Sequence, residues 1–289
     1  LKKTALAVAA LSGFASVSLV HAQGAATPPP PPKVLQIFRE VLKPGHAAPH
    51  VATEAGWPAA FRKANWPNHY IAVSSVTGPS EAWFLSPWDS FAAYEKDGQD
   101  IEANAALQAE MDRLSALDRD HLSDSASILA TYREDLSYRP MIDVPRMRYF
   151  QVVTFRVKPG RAREWVAARK MIQNVHEKAN MDEQWVTYEI VSGMPGGTFL
   201  MFLPLKSMAD LDAVQQMHGA AYQAATGEDD GRRISDLTNA SLDSSTSVIM
   251  RVSPKMSYPP KEFATIDTFW APAAPKPAAK ATAVKKTTN

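Results

Sequence analysis

The chain has 289 residues, no cysteine, and 31 basic against 30 acidic side chains. Without cysteine there are no disulfides, no thiol catalysis and no thiolate metal sites. Lys2 and Lys3 lie in residues 1–22, and Lys276, Lys280, Lys285 and Lys286 in residues 271–289. Neither segment holds an acid, so the body carries 25 basic against 30 acidic residues, a poor balance for a nucleic-acid surface.

Residues 1–22 join a positive start to an apolar stretch that ends in Val20-His21-Ala22, an A-x-A-like cleavage site. That pattern is a secretory signal peptide and predicts a secreted or periplasmic protein starting near Gln23. No other apolar run is long enough to cross a membrane. Residues 23–32 form a proline-rich spacer.

Residues 33–140 read as one folded unit. VLQIFREVL (34–42) is a strand closed by a Lys-Pro-Gly turn, and 46–64 is helical. HYIAVSSV (69–76) is a second strand, TGPSE a hairpin turn and EAWFLS (81–86) a third strand. Ser86-Pro87-Trp88-Asp89 looks like a helix start, and 127–134 is a fourth strand. A linker, 141–148, leads to a second unit, 149–260. It opens with YFQVVTFRV (149–157) and the same Lys-Pro-Gly turn. A helix over 161–180 places Trp165, Ala168, Met171, Ile172 and Val175 on one apolar face. QWVTYEIV (184–191), a turn at GMPGG (193–197), TFLMFL (198–203), a helix from Ser207-Met208-Ala209-Asp210 and a strand over 247–252 complete it. GEDDG (227–231) reads as a solvated turn. Residues 261–289, rich in Ala, Pro and Lys, read as a disordered tail.

The two units match at an offset of 115. Lys63-Ala64-Asn65 corresponds to Lys178-Ala179-Asn180, Tyr70 to Trp185 and Gly78 to Gly193. The order β-α-β-β-α-β occurs twice. It predicts an α+β fold of two tandem ferredoxin-like units packed sheet to sheet.

This duplicated order, with its strand–Lys-Pro-Gly–helix opening, resembles the dimeric α/β-barrel superfamily. That group includes antibiotic-biosynthesis-type monooxygenases, NIPSNAP proteins, haem-degrading enzymes and relatives of chlorite dismutase. The resemblance covers residues 33 to about 260 and implies two sheets enclosing a pocket. In the haem-degrading branch an Asn, a Trp and a ligating His hold the group; those places fall near Val153, Val214 and Ala224 here. The expectation is a site without a cofactor, haem being the one that the resemblance keeps in view.

Strand alternation gives each sheet two faces. One carries Gln36, Phe38 and Glu40, with Gln151, Val153 and Phe155 as counterparts, and Tyr70 with Trp185. This mixed aromatic and polar face is expected to line a ligand cavity between the sheets. The ligand-binding set is Gln36, Tyr70, Gln151, Trp185 and Glu189. Glu40 and Glu189 are the acid/base candidates, since a carboxyl group buried in a cavity holds its proton more tightly. Ile71, Val73, Val186 and Ile190 are expected beneath the helices. His46 and His50 are four residues apart, but no HExxH or other compact ligand spacing is present, and no metal is expected. The leading expectation is an exported protein that binds a small, partly apolar molecule, with self-association left open. A cofactor-independent monooxygenase or other oxidative enzyme is the alternative, and a structural or partner-binding module the third reading.

Overall fold

The computed structural model describes residues 28–217 and 219–271. The expected signal peptide, most of the expected tail and His218 lie outside the described residues. The first half runs β1 (Val34–Leu42), α1 (Ala47–Glu54), α2 (Gly56–Lys63), β2 (Ile71–Ser75), β3 (Glu81–Trp88), α3 (Phe91–Ala103), α4 (Ala105–Asp118) and β4 (Leu122–Tyr132). The second runs β5 (Tyr149–Val157), α5 (Ala162–Lys178), β6 (Val186–Ser192), β7 (Thr198–Leu205), α6 (Ala209–Met217), α7 (Ala220–Ser241) and β8 (Leu242–Val252). A short helix, α8 (Glu262–Ile266), and a turn of 3-10 helix over Thr268–Trp270 follow.

Local chemistry explains most boundaries. The Lys-Pro-Gly turns place Gly45 (φ 81°) and Gly160 (φ 76°) in the left-handed region, which glycine adopts without a Cβ clash. The repeated Lys-Ala-Asn marks the ends of α2 and α5. Asn65 (φ 50°) and Asn180 (φ 48°) take the left-handed position that follows a helix. The single helix expected over 46–64 is broken at Ala55, because Pro58 has no N–H to donate to the Glu54 carbonyl and its ring crowds that group.

Two other expectations are corrected. The helix does not start at Ser86: β3 stays paired with β1 through Trp88, and Ser90 caps α3, its Oγ accepting from the Ala93 N–H at 3.1 Å. Pro87 fits the strand because pairing with β2 stops at Leu85. GEDDG is not a free turn. It lies within α7, kinked at Gly227 (φ 67°), with Glu228 and Asp229 both paired to Arg232.

The eight strands close a barrel in the order β1-β3-β2-β8-β5-β7-β6-β4. Equivalent pairs recur in both halves: Val34 faces Trp88 and Thr131, as Tyr149 faces Leu205 and Arg251. Even the register shifts recur, at Val41/Leu42 and Arg156/Val157. The halves join edge to edge, through β2–β8 and β4–β6 ladders, rather than as two stacked sheets.

The barrel interior is solid. Leu35, Ile37, Val73 and Trp83 meet Phe150, Val152, Val186, Tyr188, Ile190 and Met250 in one core. An eight-stranded barrel is just wide enough for its own side chains to fill. The expected assignment of faces is therefore reversed: Ile71, Val73, Val186 and Ile190 point inward, and the mixed face lies beneath the helices. The segment expected as a linker and the start of the expected tail also join this core. Ile142, Met147 and Trp270 are buried in it, and the Trp270 indole N–H donates to the Pro145 carbonyl at 2.7 Å. Order thus extends beyond residue 261. Among the described residues no helix is long and apolar enough to cross a membrane.

Candidate functional site

The outward face of β1, β2 and β3 in the first half does not pack flush against its helices. A cavity of about 330 Å³ remains, at the small end of the usual ligand-pocket range of roughly 300–1,000 Å³. Trp57, Phe61, Trp66, Phe84 and Met111 provide its apolar walls. Gln36, Tyr70, Asn68 and His69 add polar groups. Asp97 lies at the rim, accepting from the Trp66 indole N–H at 2.9 Å and from Asn68. Burial holds its carboxyl above the usual range.

Glu40 and Glu54 reach the cavity from a buried cluster completed by His50 and Asp118. His50 is fully buried, and the three carboxylates are 3–4% exposed. His50 Nε2 lies 2.7 Å from Glu40 Oε2 and 3.8 Å from Asp118 Oδ1. Sequence places three of these side chains simply. Glu40 faces outward on β1, and His50 and Glu54 are one helical turn apart on α1. Asp118 ends α4, which can approach because Gly56 has no side chain: a Cβ there would sit 2.5 Å from Leu114 Cδ2.

The cluster's electrostatics are unbalanced. Burial, then the nearby Glu40 and Asp118 carboxylates, push Glu54 up to about 9. Burial and Glu40 push Asp118 up to about 6. Burial, then Glu54, keep the Tyr70 phenol protonated well above its ordinary value. The Tyr70 hydroxyl, His50 Nδ1 and Asp118 Oδ1 are buried without a hydrogen-bond partner among the described residues.

Of the five expected ligand-binding residues, Gln36 and Tyr70 come together here. The others do not. Gln151 donates to Ser247 Oγ at 2.8 Å on the second half's outer surface. Trp185 is 2% exposed and donates to the Leu136 carbonyl at 2.8 Å. Glu189 pairs with Arg133 at 2.6 Å, its side chain 41% exposed. Of the acid/base candidates, Glu40 enters a buried cluster and Glu189 a surface ion pair. His50, Glu54 and Asp118 were missed. The four-residue spacing of His50 and Glu54 was the available signal; Asp118 had none. His46 and His50, four residues apart, have different partners: His46 faces His121, Nδ1 to Nδ1 at 3.1 Å, and His50 faces Glu40.

At the same offset the second half replaces Glu40, His50 and Glu54 with Phe155, Trp165 and Arg169. Trp165 stacks on Phe199 at 4.3 Å, and the Arg169 guanidinium lies over Phe155 and Trp185. His176 is held between the Ile172 carbonyl at 2.8 Å and Glu183 at 2.7 Å. With both ring nitrogens engaged, His176 has none free to ligate haem, and Val153, Val214 and Ala224 stand at the places named above.

No family model matches the chain, and no curated protein does. Solved structures do. A presumed monooxygenase of Fusobacterium nucleatum subsp. nucleatum is 11% identical, with a TM-score of 0.50, over 77% of this chain and 93% of that one. An anthrone oxidase-like protein is 12% identical, with a TM-score of 0.50, over 76% and 92%. A chlorite dismutase variant of Candidatus Nitrospira defluvii is 10% identical, with a TM-score of 0.45, over 78% and 92%. These neighbours are dimeric α/β-barrel proteins. At such identity the likeness shows the fold alone.

Proposed function

We propose that this protein binds a small, partly apolar molecule in the cavity of its first half, between sheet and helices rather than between the sheets. The observation that carries this reading is the 330 Å³ aromatic cavity ending at Glu40 and Glu54. Trp57, Phe61 and Phe84 suit a flat apolar body. Gln36 and the Tyr70 hydroxyl are the groups to orient a polar substituent. Gln151, Trp185 and Glu189 have no part in it. The repeated pairings and left-handed residues support a tandem ferredoxin-like duplication in which one copy kept an open site and the other filled it. Residues 1–22 support export to the periplasm or medium.

One observation favours a second reading, an oxidative enzyme of this fold. The buried Glu40–His50 pair stands where a substituent of the bound molecule would lie, a geometry suited to moving a proton. Anthrone, taken from the name of one structural neighbour, is a sensible first probe. It is expected to raise the melting temperature of the full chain, and Ser86→Phe, which fills the cavity from β3, to abolish that rise. An equal rise in a folded Ser86→Phe variant would place binding elsewhere.

A further inference from the structure

Three carboxylates and one imidazole meet in the first half with no lysine or arginine paired to them among the described residues. Glu40, Glu54 and Asp118 are as buried as core leucines. One ligand-capable atom from each of the four side chains lies within 4.8 Å of all the others. Burying several carboxylates without a compensating cation is strongly unfavourable. Within the cluster only His50 is able to carry positive charge. Asp118 Oδ1, aimed at His50 Nε2 from 3.8 Å, has no hydrogen-bond partner among the described residues. This oxygen is more than nine-tenths buried, lacks a hydrogen bond, and faces the other ligand-capable atoms of the cluster.

We propose that Glu40, His50, Glu54 and Asp118 bind one divalent first-row transition-metal ion. One imidazole nitrogen with carboxylate oxygens suits zinc, iron(II) or manganese(II) better than calcium, which prefers six to eight oxygens. Donors about 2.1 Å from a shared ion lie at most about 4.2 Å apart. The cluster therefore closes by roughly half an ångström when it is filled. Glu40 and Glu54 also line the cavity, so an open coordination position would face whatever occupies it. The inference does not depend on the small-molecule reading.

The test is equilibrium dialysis of the chelator-treated full chain against zinc or manganese(II), with the bound metal counted. One equivalent is expected. Glu54→Gln and Asp118→Asn are expected to weaken binding at least tenfold. Glu183→Gln, in the second half's His–carboxylate pair, is expected to change nothing. No binding, or binding indifferent to both cluster substitutions, would overturn the proposal. Should neither cluster variant fold, His46→Ala decides on a folded chain. Retention of the equivalent supports the buried site, and its loss assigns the metal to the His46–His121 pair instead. A chain that binds metal but no anthrone refutes only the cavity reading, and the converse result only this one.

Discussion

Glu54 is the most perturbed carboxyl group with a defined value, pushed up to about 9. In the unfolded chain it ionises near 4.5. Between these values folding takes up a proton, so the metal-free protein loses stability as pH rises. Below about 4.5 and above about 9 this contribution is flat. The melting temperature of chelator-treated protein is therefore expected to fall from pH 5 to pH 9, and Glu54→Gln to flatten the decline and melt higher at pH 8. A profile unchanged by Glu54→Gln would show that this carboxyl group is not the source. Trp185 belongs to a different category. It is core, so Trp185→Ala is expected to cost about 3–5 kcal/mol in denaturant unfolding. Probe binding at the first-half cavity should survive under conditions where the variant is folded. A selective loss of binding would return Trp185 to the site.

Among elements, strands and their turns were the most legible. VLQIFREVL and YFQVVTFRV are the observed β1 and β5 to the residue, because each ends in a Lys-Pro-Gly turn whose glycine has a single role. Which face of a strand turns inward was not legible. Alternation separates Ile71 and Val73 from Tyr70 and Ala72, but it does not say whether the more apolar set meets helices or the other half. Closure decided it, since a barrel this narrow is filled by its own apolar side chains, aliphatic and aromatic alike. The helix cap at Ser90 was hidden by Ser86-Pro87, a better local signal that long-range pairing overrode. The hairpin between β6 and β7 has a sharper requirement. Gly193 has φ 87°, and a Cβ there would sit 2.2 Å from the Ser127 carbonyl oxygen. Gly193→Ala is expected to cost roughly 1–3 kcal/mol, measured by denaturant unfolding. A cost near zero would mean that this turn is free to move away from β4.

At the scale of the whole molecule, the two halves cover each other's edges. Without residues 141–271, β2 loses β8, β4 loses β6, and the inward face with Ile37, Val73 and Trp83 meets water. Unpaired edges and an apolar face promote association. Residues 33–140 alone are expected to aggregate or to pair as a dimer in light scattering. A stable monomer melting with the full chain would make the halves independent. The same closure leaves the first half's helix-covered cavity as the proposed site: Asp118 reaches Glu40 only through the fold, which is why the cluster was not legible in the sequence. Native mass spectrometry of the protein purified from its own host tests that placement most directly. The wild-type chain is expected to carry a small organic adduct that Ser86→Phe loses and Gln151→Phe, on the opposite half, keeps. An adduct kept by Ser86→Phe and lost by Gln151→Phe, or no adduct on the wild type, would contradict it.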